Sequence, residues 1–198
     1  MRRIRRLLPS KKRAGLGLWR EEAATQIVEF ALSLPLLVVF VVGIFDFSNA
    51  ITLKQKLTNA AREGARVAAA DPASDLASLP SSGIPASVND AWQVVDNYLL
   101  GARVKDCGLS SPTWAPSGVL TWTATATGSG CPGAGITLTI NRGCTTPQTQ
   151  GPTMDEVDTC VTLKYPYKWE FNSVSGLIGG AFSGPATITT TATSFNEN

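Results

Sequence analysis

Residues 27–47 read IVEFALSLPLLVVFVVGIFDF, the most hydrophobic stretch of a 198-residue chain. No charge occurs between Phe30 and Phe45, and as a helix the 21 residues span roughly 30 Å, the thickness of a bilayer's hydrocarbon core. The stretch predicts a transmembrane helix, and it makes Glu29 the first question. A carboxylate at the mouth of such a helix costs a few kcal/mol unless it finds a partner, so it is a functional candidate by default. Asp46, 17 residues on, poses the same question at the far end, about 25 Å away. One reading puts each acid at its own membrane–water interface, where position alone makes it affordable. The other gives Glu29 a cationic partner.

Charge sets the expected orientation. Residues 1–24 carry eight basic side chains against Glu21 and Glu22, a local charge of +6, while the rest of the chain has nine basic and thirteen acidic residues. A basic head before the span predicts a cytoplasmic N-terminus and an exported C-terminal body. The mildly acidic body gives no reason to expect nucleic-acid binding. The apolar run is longer than a signal-peptide core and ends in IFDFSNA, which argues against removal of the whole helix.

The helix need not stop at the membrane. In residues 48–70, SNAITLKQKLTNAAREGARVAAA, small or apolar residues recur at Ala50, Leu53, Leu57, Ala60, Ala61, Gly64, Ala65 and Ala68, with Gln55, Asn59, Arg62 and Arg66 opposite. One long helix from about Ala24 to Ala70 is predicted, kinked at Pro35 and ended by Asp71-Pro72. Ala60, Gly64 and Ala68 suit close helix packing, either against another subunit or against the protein's own sheet. Residues 71–86 are rich in Ser, Ala and Pro and read as a linker. A second helix follows, with Ser87 as its cap, an apolar stripe through Val88, Ala91, Val95, Tyr98, Leu99 and Ala102, and Gly101 weakening its last turn.

From Cys107 the texture turns to Thr and Gly with period-two alternation. Residues 119–127, 135–141, 160–170 and 185–195 predict four strands, the third at an edge or bulge because of Pro166. The expected fold class is therefore α+β: a long hydrophobic N-terminal helix, then an exported domain (87–198) with a helix packed on an antiparallel sheet. The glycine-rich apolar segment 171–184 reads as a loop or short helix over the sheet, or as a subunit or membrane contact.

Four cysteines, Cys107, Cys131, Cys144 and Cys160, all fall in the expected exported part and suit two disulfides in an oxidising compartment. Spacing alone leaves the connectivity open. If 119–127 and 135–141 form a hairpin, Cys144 and Cys160 flank one end of it, which favours 144 with 160 and 107 with 131. The absence of any CxxC pair or histidine argues against a zinc site. Without histidine, Ser-His and Cys-His nucleophilic sites are excluded, and no phosphate-binding glycine loop opens a helix. Asp155, Glu156 and Asp158 read as a solvated acidic loop, and Trp92, Trp114, Trp122 and Trp169 as core or sheet aromatics. No enzyme activity and no cofactor is expected.

The order of parts, a basic head, a glutamate, an apolar helix, an amphipathic continuation and an exported β-rich domain, resembles class III signal sequences. TQIVEFALSLPLLVVFVVGIFDF followed by LTNAAREGARVAAA resembles the TadE-like pseudopilins of the tight-adherence (Flp-type) pilus system. Members share a Glu-Phe or Glu-Tyr pair, here Glu29-Phe30, a proline in the apolar run, an Asp near its end and a TNAAREGAR-like segment. The resemblance implies a pseudopilin or minor pilin in the bacterial cytoplasmic membrane that takes part in pilus assembly and supports adhesion. Its implied partners are other pilins, the assembly machinery and a prepilin peptidase that removes residues 1–24 and leaves the helix in the membrane. It also implies a cut between Ala24 and Thr25, making Glu29 the fifth mature residue and pairing it with a neighbour's freed amine. The chain departs from the family in having Ala24 where glycine is usual. The competing class is an unprocessed, membrane-anchored envelope protein whose exported domain binds a ligand or partner.

Overall fold

In the computed structural model, the described residues are 18–76, 83–129, 131, 133, 135–145, 157–170 and 186–196, with side chains described from Thr25 onward. The architecture is α+β, a long N-terminal helix followed by a second helix and a five-stranded antiparallel sheet. The first helix, α1 (Leu18–Ala70), starts six residues earlier than expected and runs through Pro35. Pro35 has no N–H to give the turn before it, and the Ser33 hydroxyl donates back to the Phe30 carbonyl at 3.2 Å. By contact density the chain divides into residues 1–41 and 42–198.

In the second unit, the helix turns the face with small-residue periodicity inward. Leu57, Ala60, Ala61, Ala65 and Ala68 are buried in the core, while Gln55, Asn59, Arg62 and Arg66 are exposed. Of the stretch 71–86, read as a linker, residues 71–76 and 83–86 are described. A 3-10 turn (Ala73–Leu76) follows α1, and both Leu76 and Ile84 pack on the core. Helix α2 (Ala86–Gly101) is capped differently from expectation: its N-cap is Pro85, which cannot bond through its side chain. Asp75 supplies the missing acceptor from the 3-10 turn, taking the Ser87 N–H at 2.8 Å. Ser87 itself is buried rather than capping.

The C-terminal end of α2 closes with Arg103 in the left-handed region at φ 56°. The Arg103 N–H donates to the Leu100 carbonyl and the Val104 N–H to that of Leu99, the paired closure of a Schellman motif.

The strands are β1 (Thr113–Gly118), β2 (Thr121–Ala126), β3 (Ile136–Thr145), β4 (Val157–Pro166) and β5 (Thr187–Phe195), a simple meander in sheet order. β1 was not expected: it is short, mostly exposed and interrupted by Pro116, which an edge strand tolerates. The strand carrying Pro166 is not at the edge, because β4 lies between β3 and β5. Pro166 is accommodated as the strand's last residue, and the Tyr167 N–H resumes pairing with the Ala186 carbonyl at 2.8 Å.

Period-two alternation sends Ala124, Leu138, Ile140, Val161, Leu163 and Ala192 into the core beneath the helices. The opposite face is hydroxyl-rich. Thr123, Thr139, Thr162 and Thr191 lie in register across four strands. Thr123 and Thr139 are hydrogen-bonded at 3.2 Å, and Thr162 and Thr191 at 2.9 Å.

Candidate functional site

Glu29 lies on α1 where every described side chain from Thr25 to Val41 is exposed except Val39. Phe30, beside it, is 65% exposed, and so are most of the large apolar side chains up to Phe47. An apolar surface this long on one helix is not the face of a soluble core. It suggests a single-pass membrane anchor, since α1 is long and apolar enough to cross a bilayer. The Ala24–Thr25 peptide bond lies within the helix, which begins at Leu18. The structure brings neither Asp46 nor the Ala60, Gly64 and Ala68 set to Glu29: Asp46 is 17 residues further along the same helix.

Asp46 has a local partner. It is only 4% exposed, although Phe45 and Phe47 on either side are 67% and 61% exposed. The Tyr167 hydroxyl donates to its Oδ1 at 2.7 Å and lies 3.0 Å from its backbone carbonyl. Burial, then the hydrogen bond and negative charge of Asp46, push the Tyr167 phenol well above its ordinary range. Trp169 stands edge-on against Tyr167, ring centroids 4.9 Å apart. A sequence separation of 121 residues hides this pairing from any local reading. The aromatic spacing of YPYKW is the only hint of it.

Gly64 packs against α2 and β4: a Cβ there would stand 2.6 Å from Val95 Cγ2 and 3.8 Å from Val161 Cγ1. Ala60 and Ala68 are fully buried in the same core. In the folded unit the small-residue face therefore meets this chain's own α2 and sheet.

A second polar centre was not legible in the sequence. Arg142 continues the inward register of Leu138 and Ile140 and is fully buried. It donates from Nη2 to the Asp71 carbonyl at 3.0 Å and from Nη1 to Thr159 Oγ1 at 3.2 Å. Burial lowers its pKa, opposed by the charges of Asp75 and Asp71. The Asp71 carboxyl is in turn raised, chiefly by burial, then by Asp90, with Arg142 acting the other way. The arrangement locks the end of α1 and the 3-10 turn to the sheet.

Asp158 corrects an expectation, being fully buried in β4 rather than part of a solvated loop; Asp155 and Glu156 lie outside the described residues, as does segment 171–184. Trp122 is in the core, and Trp92 meets Trp114 edge-on at 6.0 Å while donating to the Leu109 carbonyl. The cysteines form two bridges, Cys107–Cys131 with Cα atoms 5.5 Å apart and Cys144–Cys160 at 6.0 Å. Among the described residues no group of three His, Cys, Asp or Glu side chains gathers to hold a metal.

Comparison with known proteins finds a match on the helix. Residues 25–66 match the TadE-like protein family. No curated protein and no solved structure matches the chain. The TadE-like segment runs from Thr25 through Glu29, Pro35 and Asp46 to Arg66, and points to involvement in the Tad/Flp pilus system alongside other pilus components. It covers the exposed apolar stretch and most of the helix that enters the core, and leaves α2 and the sheet outside the match.

Proposed function

We propose that this protein is a pseudopilin or minor pilin that takes part in assembling Flp-type pili after a prepilin-type peptidase removes residues 1–24. The observation that carries the reading is a TadE-like match that begins at Thr25, on a helix whose large apolar side chains between Ile27 and Phe47 are, apart from Val39 and Val42, exposed among the described residues. Cleavage after Ala24 frees a cationic α-amine at the helix start, four residues before Glu29. In low dielectric an ammonium from a neighbouring subunit and the Glu29 carboxylate attract strongly, and the pair fixes the register in which helices bundle. The basic head keeps the N-terminus cytoplasmic and the disulfide-bonded unit is exported. No step of this role needs an active site, a cofactor or a metal, and the protein acts as a structural component rather than an enzyme.

A second reading, an unprocessed anchor whose exported domain binds a partner, is favoured by one fact: the Ala24–Thr25 bond lies inside helical backbone, preceded by alanine where the family has glycine. A peptidase has to unwind that turn before cutting.

The deciding experiment is terminal-peptide mass spectrometry of the protein from its native host, with and without Glu29→Ala. A mature chain starting at Thr25, with Glu29→Ala processed but not assembled, is the expected result. An intact Met1 overturns processing and favours the anchored domain.

A further inference from the structure

We propose that the membrane-proximal end of the exported unit is a contact surface for anionic phospholipid headgroups, so that the domain rests on the bilayer its helix crosses. The proposal rests on the membrane-anchor reading of α1 and extends it to residues far away in sequence. The apolar run ends at Phe47, which sets the outer edge of the hydrocarbon. Tyr167 is hydrogen-bonded to Asp46, one residue before that edge, and Trp169 packs edge-on against Tyr167. The depth of Asp46 is therefore the depth of this aromatic pair, at the level where Tyr and Trp are most favoured in membrane proteins. Both residues are partly buried, and Lys168 between them is exposed.

The charge next to this aromatic pair has the complementary sign. An open depression of about 340 Å³ begins on the first turns of α1 past the apolar run, at Asn49, Thr52 and Leu53. It is completed by Lys56, by Arg103 and Lys105 after α2, and by Tyr165, two residues before Tyr167. The Lys56 ammonium donates to the Ala102 carbonyl at 2.9 Å, which ties the helix to the loop that carries the other two cations. From Phe47 to Lys56 the helix rises about 13 Å. The headgroup layer adds about 5–8 Å beyond the hydrocarbon, so Asn49, about 3 Å past Phe47, falls within it and Thr52, about 7.5 Å past, lies at its outer edge. Lys and Arg stems of this length reach back toward the phosphates. Asp46, Asp106 and Glu170 are the nearby acids that oppose this charge, since each acts on a tyrosine of the same group. Four cations, Lys56, Arg103, Lys105 and Lys168, against these three acids leave a net charge of +1, the sign that a membrane bearing anionic lipid attracts.

The test uses the full chain reconstituted in vesicles of phosphatidylcholine, with and without phosphatidylglycerol. The acyl chains are brominated near the headgroup end. Subtracting the emission of Trp169→Phe from that of the unaltered protein isolates Trp169. The expected result is loss of most of that difference signal to bromolipid quenching, a larger loss with phosphatidylglycerol, and removal of only the increment by Arg103→Gln with Lys105→Gln. Unquenched Trp169 in protein that resists carbonate extraction overturns the docking surface and leaves the anchor standing. Extraction by carbonate overturns the anchor reading itself. Quenching indifferent to phosphatidylglycerol and to the double substitution overturns the choice of an anionic partner.

Discussion

Gly64 and Glu29 occupy the same helix, 35 residues apart, and answer opposite demands. Glu29 stands exposed among apolar neighbours. Gly64 lies where the chain closes on itself. Replacing it with alanine sets two effects against each other: alanine favours a helix interior by about 1 kcal/mol, but its Cβ would come within 2.6 Å of Val95 Cγ2. Valine is stiff at χ1 and Val95 is fully buried, so the relief has to come from moving α2 away from α1. Overpacking of this kind costs about 1–3 kcal/mol, so Gly64→Ala is expected to destabilise by about 1 kcal/mol net. Adding Val95→Ala should recover part of that loss. Denaturant melts of the two single variants and the double provide the cycle. A Gly64→Ala protein as stable as the parent would show that this contact does not set the interhelical distance.

At the scale of elements, the joint between α1 and the sheet is the Tyr167–Asp46 hydrogen bond, and its titration gives it a pH signature. A phenol whose pKa is raised by folding contributes stability that is complete below the ordinary tyrosine value of 10.0 and is lost as pH rises past it. Tyr165 is raised in the same sense, chiefly by burial. The melting temperature is therefore expected to fall above about pH 10. Tyr167→Phe should reduce that slope without abolishing it, and cost about 1–2 kcal/mol at neutral pH because Asp46 loses a donor. An unchanged alkaline slope in thermal melts of Tyr167→Phe would remove Tyr167 as its source. What was legible in the sequence divides along the same line. The apolar run, the 3.6-residue stripe of α1 and the alternation of β2 to β5 are local patterns, and local patterns can be read. The cap of α2 came from Asp75, twelve residues before Ser87, and Asp46 found its donor 121 residues away. Neither pairing leaves a periodic trace. β1 escaped because Pro116 argues against a strand, and only an edge position, which the fold supplies, makes it acceptable.

For the whole chain, the division at residues 41 and 42 separates a segment whose described side chains are exposed apart from Val39 from a unit with a core. The second unit buries small side chains from α1, and alanine and glycine give less burial energy per residue than leucine or valine. A core built this way gains from covalent ties, and the two bridges tie different things. Cys107–Cys131, with a separation of 24 residues, joins the turn after α2 to the β2–β3 connection. Cys144–Cys160, with a separation of 16, links β3 to β4, strands already paired along most of their length. Loop closure alone gives each bridge about 3 kcal/mol, a large share of a typical 5–15 kcal/mol for a domain. Cys107→Ser with Cys131→Ser is expected to lower stability more than Cys144→Ser with Cys160→Ser, because the first pair leaves the α2–β1 turn held only by weaker contacts. All four substitutions together should leave a unit close to unfolding at 37 °C. Chemical denaturation of the three variants beside the oxidised parent measures the order directly. A combined loss under about 1 kcal/mol would mean that the Ala-rich helix interface, rather than the bridges, holds the second unit together.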